Sequence, residues 1–214
     1  WHYSSYYSNA YAVNQYLASQ GFVVLSVNFR LGIGYGYEFH HPVDGGRRGA
    51  SEYRDILAAH AWLAEQDFVD AESIGIYGGS YGGYLTAMAL GRNSDLFAAG
   101  VDISGVHDWT AWSRSYSSGG YEQVPDADYA LQLAWQSSPV ADVGGWRSPG
   151  LIIHADDDRN VDYNQSTDLV QRLRKLGAPH ETMTIVDDTH HFMIYRNQVA
   201  VNEATVEFLV RHLK

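Results

Sequence analysis

The chain has 214 residues, 45% apolar and 18% charged, with a formal net charge of −11. That length supports one sizeable domain with a real core, and the acidic balance argues against an electrostatic nucleic-acid binder. No uncharged apolar run is long enough to span a membrane, no leader pattern precedes the first element, and the absence of cysteine excludes disulfides and thiolate zinc sites. A soluble protein is expected, with nothing to separate cytoplasm from periplasm.

In chain order, residues 9–20 read as a helix stopped by Gly21. Phe22-Val23-Val24-Leu25-Ser26-Val27-Asn28 follows as a buried strand, rich in β-branched residues. Gly32, Gly34 and Gly36 are spaced G-x-G-x-G with no helix directly after them, which excludes a dinucleotide fingerprint. His40-His41 reads as surface loop. Residues 51–66 predict a helix with Ser51 as N-cap. Next come a strand at 73–77, a helix at 81–91 and a strand at 98–103.

Residues 104–148 are irregular and aromatic, with one helix expected at 128–136. The last third alternates a strand at 150–154, a helix at 163–176 stopped by Gly177, a strand at 182–186 and a helix at 198–213. Strands alternating with helices predict an α/β protein: a mostly parallel sheet with helices on both faces. No internal repeat or linker points to a second domain within residues 1–214.

Between the strand at 73–77 and the helix at 81–91 lies Gly78-Gly79-Ser80-Tyr81-Gly82-Gly83. A G-x-S-x-G in that setting reads as a nucleophile elbow. The sharp turn needs small neighbours, so Gly78 and Gly82 are expected to let strand and helix approach. Ser80 Oγ is then exposed, and the Tyr81 N–H can face a developing oxyanion.

An elbow serine needs a base and an orienting carboxylate, arriving in the order Ser, Asp or Glu, His at successive strand ends. The strand at 150–154 runs into Asp156-Asp157-Asp158, and the strand at 182–186 into Asp187-Asp188-Thr189-His190-His191. The Asp156-x-Asp158-x-Asn160 pattern is no calcium loop, because the turn glycine is missing and its twelfth position is Thr167. Adjacent His190-His191 rarely chelate one ion, and H-E-x-x-H is absent. No metal and no cofactor are expected.

At this point the chain resembles the prolyl oligopeptidase family of serine peptidases, α/β hydrolases by fold. The likeness rests on Asn28-Phe29-Arg30 with Gly34-Tyr35-Gly36, the extended elbow Gly78 to Gly83, the segment Leu151 to Val161, and Thr189-His190-His191-Phe192. It implies Ser80 as nucleophile, Asp158 as the orienting carboxylate and His190 as the base. Ala155 stands where the family's glycine is usual. It also implies a substrate pocket lined by Val106, Trp109, Trp112 and Tyr116, suited to proline or another compact apolar side chain, with Asn160 near the substrate carbonyl. The expected activity is hydrolysis of short peptides through an acyl-enzyme. The alternatives are an esterase or other acyl hydrolase, and a catalytically inert binding module.

The resemblance further implies that the first three strands of the fold, and the family's N-terminal propeller, lie outside this chain. One of those strands is central, between 22–28 and 73–77, and a neighbouring loop supplies the second oxyanion donor. The expected partners are therefore a peptide substrate and the missing strands and propeller, from the same polypeptide or another chain; a homo-oligomer stays open. Unpaired buried backbone costs about 1–3 kcal/mol per group, so residues 1–214 alone are expected to fold poorly or to aggregate through open edges.

Overall fold

The structure, a computed structural model, describes residues 12–45, 47–111 and 126–214. Its frame is a four-stranded sheet built from β1 (Gly75–Gly79), β2 (Ala99–Ile103), β3 (Gly150–Ala155) and β4 (His180–Ile185). The strands lie side by side in chain order, and every pair is parallel. Each crossover carries helix: α4 (Tyr81–Arg92) between β1 and β2, α5 (Ala127–Gln136) between β2 and β3, and α6 (Asn164–Leu176) between β3 and β4. Before β1 stand α1 (Val13–Ser19), the single turn α2 (Tyr37–His40) and α3 (Ser51–Ala64); α7 (Tyr195–Leu213) follows β4.

The strand period of two sorts side chains into two cores. Ala99, Val101, Leu151, Ile153 and Ala155 point to one face, against Val13 and Leu17 of α1 and Val201, Val206, Phe208 and Leu209 of α7. Ile152 points to the other face, against α3, α4 and α6. Asp102 and His154 share its parity, so two polar strand residues are buried on the α4–α6 side. From Gly83 to Gly91, α4 is buried on every side, as suits a helix enclosed between sheet and covering elements. Burying one such side chain as Leu85 or Met88 stabilises the fold by about 1.5–3 kcal/mol. No helix among the described residues is long and apolar enough to cross a membrane.

Two local expectations are corrected. Residues 22–28 form no strand among the described residues. Phe22 and Val24 pack on one core and Val27 on the other, while Val23 and Leu25 are exposed. Apolar burial is thus met on both sides of the segment, yet no ladder partner exists for it among the described residues. A strand is defined by that ladder, so β-propensity alone does not make one. The outer edge of β1 is likewise unpaired among the described residues.

The second correction is at the start of α3. Ser51 is inside the helix, and its hydroxyl makes no capping hydrogen bond to the helix N-terminus. The end of the preceding turn is held instead by the Glu52 carboxylate, which accepts the N–H groups of Gly49 and Ala50. His40, expected in a loop, closes the single turn of α2.

Candidate active site

Ser80 joins β1 to α4 with φ 56° and ψ −115°, a left-handed φ that non-glycine residues rarely adopt. Such a conformation costs about 1–3 kcal/mol and persists only where its surroundings enforce it. Here the Ser80 N–H donates to Ile103 O at 2.7 Å, and the Ser80 carbonyl accepts the Tyr84 N–H at 3.0 Å. The first bond extends the β1–β2 ladder; the second starts the helix. A Cβ on Gly78 would lie 2.6 Å from the carbonyl carbon of Gly82, so the turn closes only with glycine there. A Cβ on Gly82 would meet nothing within 4 Å. The close approach expected of both glycines is thus imposed by Gly78 alone. The Tyr81 N–H, first in α4, has no acceptor among the described residues, as helix geometry leaves it.

The other two members of the expected triad meet at the ends of β3 and β4. These strands are in register from Gly150↔His180 to Ala155↔Ile185, so their following loops emerge side by side. Asp158 Oδ2 accepts from His190 Nδ1 at 2.6 Å and from His154 Nε2 at 3.1 Å. Asp158 Oδ1 accepts the N–H groups of Asn160 and Val161 at 2.8 and 2.9 Å. Burial alone would raise the pKa of this carboxyl; the hydrogen bonds from His154, His190, Val161 and Asn160 outweigh it and hold the group well below the usual carboxylate range. An ionised Asp158 places the His190 proton on Nδ1 and leaves Nε2 basic.

Neighbouring candidates have other partners. Asp156 accepts the Asp187 N–H, Asp157 pairs with Arg159 at the surface, and His191 is exposed, its ring edge-on to His190. Asp188 is buried and anchors the histidine loop by accepting from the N–H groups of Thr189, Met193 and Ile194 and from the Asn197 amide. No hydrogen bond joins Ser80 to His190 among the described residues, so the serine and the histidine–aspartate pair stand at the same sheet end without a closed contact.

Of the expected pocket, Val106 is buried and Trp109 is half-buried. Trp109 packs edge-on to Tyr84 at 5.5 Å and tilted to Tyr81 at 6.4 Å between ring centroids. Tyr81 also stacks on Phe29. The Tyr81 ring thus lies between Phe29 and Trp109. Trp112 and Tyr116 lie outside the described residues. Asn160 is exposed, and its backbone N–H donates to Asp158.

Three buried polar groups behind the site were not singled out as functional from sequence. His154 Nε2 faces two acceptors, Asp158 Oδ2 and Val161 O, while its Nδ1 meets Ser166 Oγ at 2.7 Å. It must therefore donate from Nε2, backing the triad carboxylate. Glu52, with no solvent exposure, accepts from the Tyr81 hydroxyl at 2.6 Å. Asp102 and His107 form a fully buried pair at 2.5 Å, with His107 Nδ1 on Gln165 O. The pair ties the loop bearing Val106 and Trp109 to β2 and α6. Only partner geometry distinguishes these groups, and spacing along the chain does not carry it.

The chain is 31% identical over 209 residues to dipeptidyl aminopeptidase BIII of Pseudoxanthomonas mexicana, covering 94% of this chain and 30% of that protein. Its fold superimposes on Porphyromonas gingivalis dipeptidyl peptidase 4 with a TM-score of 0.81 at 28% identity, covering 94% of this chain and 28% of the other. Pyrococcus horikoshii acylaminoacyl peptidase gives a TM-score of 0.75 at 30% identity, covering 88% and 32%. The chain thus spans about a third of the length of these relatives. The profile of the prolyl oligopeptidase family matches residues 8–214, and the chain belongs to that family of serine peptidases, with an α/β-hydrolase fold.

Proposed function

We propose that this chain is the catalytic region of a serine peptidase acting on short peptides through an acyl-enzyme. The observation that carries the proposal is the Asp158–His190 hydrogen bond of 2.6 Å at the same sheet end as Ser80, whose backbone is strained. His190 Nε2 takes the proton from Ser80 Oγ as it attacks the carbonyl, and Asp158 stabilises the imidazolium. The Tyr81 N–H, at the positive end of α4, stabilises the tetrahedral oxyanion. His190 then protonates the leaving amine, and water repeats the sequence on the ester. His154 keeps Asp158 oriented throughout.

Walls of Val106, Tyr81 and Trp109 would suit a compact residue before the cleaved bond, proline or a small apolar side chain, in keeping with the dipeptidyl and acylaminoacyl peptidases among the relatives. The unpaired β1 edge and the ladder-free segment 22–28 call for a further strand, outside the described residues, to complete the sheet and bring the second oxyanion donor.

Parallel assays of the intact protein with a prolyl p-nitroanilide and a short-chain p-nitrophenyl ester test the proposal. Amide turnover that drops by orders of magnitude in Ser80→Ala supports it. Ester turnover without amide turnover would assign an esterase instead, and normal activity in Ser80→Ala would overturn the mechanism.

A further inference from the structure

The wall beside Ser80 holds a cation that the mechanism does not use. The guanidinium carbon of Arg48 lies 5.8 Å from the ring centroids of both Tyr81 and Trp109. Six other arginines pair with carboxylates: Arg30, Arg54, Arg92, Arg159, Arg172 and Arg211. Arg48 makes no ion pair and no hydrogen bond among the described residues. Its contacts with the rings leave unanswered the N–H donors in the guanidinium plane, which suit a carboxylate in two-point contact.

The cation is also held in place from below. The next residue, Gly49, has φ 68°, and a Cβ there would lie 2.6 Å from the Tyr84 hydroxyl, so no other residue fits. Its N–H donates to Glu52 Oε1 at 2.6 Å, and the Ala50 N–H donates to Oε2 at 3.2 Å. The same Oε1 accepts the Tyr81 hydroxyl at 2.6 Å. One buried carboxylate therefore fixes both the backbone that carries Arg48 and the ring beneath its guanidinium. These three bonds commit Glu52 to the turn and the wall rather than to Arg48.

We propose that Arg48 is a specificity-determining residue of the pocket next to Ser80, and that the pocket accepts a compact anionic side chain, aspartate or glutamate, before the cleaved bond. The proposal rests on the peptidase reading above and departs from it in one respect, an acidic in place of an apolar residue before the cleaved bond. The aliphatic part of an acidic side chain packs on Tyr81 and Trp109, and its carboxylate meets the outward N–H groups of Arg48. The chain's net charge of −11 opposes an anion, and the Arg48 cation offsets this locally.

The test uses the intact protein and four peptide anilides that differ only before the cleaved bond: alanine, proline, aspartate, and asparagine as the neutral isostere of aspartate. Wild type is expected to favour aspartate over asparagine by about tenfold or more in kcat/KM, the size of a charge-assisted hydrogen bond. Arg48→Met keeps the aliphatic stem, and its aspartate-to-asparagine ratio should fall to near one; Arg48→Lys should keep an intermediate ratio. An unchanged ratio in Arg48→Met overturns the proposal, as does a wild-type ratio of one. If alanine and proline substrates are cleaved but the wild-type ratio is one, only the role of Arg48 falls. If no anilide is cleaved and a fluorophosphonate leaves Ser80 unlabelled, the peptidase reading falls and takes this proposal with it.

Discussion

Replacing Asp158 by asparagine exchanges one oxygen for an amide and reverses the hydrogen-bond logic of the site. Asp158 accepts four hydrogen bonds, two backbone N–H groups at Oδ1 and two imidazoles at Oδ2. An asparagine oxygen facing the backbone keeps those two bonds and turns its NH2 toward His190 and His154. His190 Nδ1 must then accept, which moves its proton to Nε2 and removes the base that Ser80 needs. His154 cannot adapt in the same way, because its Nε2 also faces Val161 O. The opposite amide orientation sets the NH2 against two N–H groups, at about 1–3 kcal/mol for each group left unmade. The tautomer change therefore dominates, and kcat should fall by about 10⁴-fold, or about 5.4 kcal/mol of transition-state stabilisation. Steady-state hydrolysis of an aminoacyl anilide measures it, with a thermal melt to establish folding. The wild-type Asp158 pKa is held well below its ordinary value, so the acidic limb of the rate profile should contain no step from this carboxyl near pH 4. A folded Asp158→Asn variant within about tenfold of wild type would refute the reasoning.

Gly78→Ala places a methyl against the Gly82 backbone, and should abolish activity and lower Tm by several degrees; Gly82→Ala should lower Tm far less, and equal effects would contradict the steric account. Asp188→Asn weakens the anchor of the histidine loop and should reduce kcat about tenfold or more with little change in KM, as read from the same anilide assay. Burial lowers the pKa of His107, but the charge and hydrogen bond of Asp102, the Gln165 carbonyl and the Asp168 charge together outweigh burial and leave it raised. The stability from this pair is therefore fully present below about pH 6.5, the ordinary histidine value, and is lost as pH rises through the raised folded value. Melts across that range should show a decline in wild type that the Asp102→Asn, His107→Gln double variant lacks; identical declines would remove the pair as its cause.

The strands were legible where period and composition coincide. β3 shows this best, because Leu151, Ile152 and Ile153 are apolar on both faces, as a strand covered by helices requires. The helix stop at Gly177 was equally readable, since the residue takes φ 65° at the end of α6. The segment 22–28 is apolar like β3 but has no neighbour to pair with among the described residues, and pairing is a property of the whole sheet. Ser51 looked like a cap because of its residue type, while the carboxylate one position later makes the bonds. In the site, residue order alone led to Ser80, the Asp156–Asp158 run and the His190-His191 pair. The 2.6 Å contact between Asp158 and His190 depends on β3–β4 register, which spacing does not encode. Of the polar groups behind the site, Glu52 lies in α3, Asp102 and His154 in strands and His107 in the loop after β2. Their roles come from partners up to 58 residues away along the chain, as for His107 and Gln165.

The central claim is that Ser80 is a nucleophile activated by His190. The most direct measurement is mass-spectrometric mapping of the intact protein after treatment with a fluorophosphonate, which forms a phosphoryl adduct on an activated serine. The account predicts one adduct, on Ser80, absent in Ser80→Ala and formed at least about a hundredfold more slowly in His190→Ala. Folded wild-type protein that stays unmodified, or that is modified at another serine with Ser80 untouched, would contradict it.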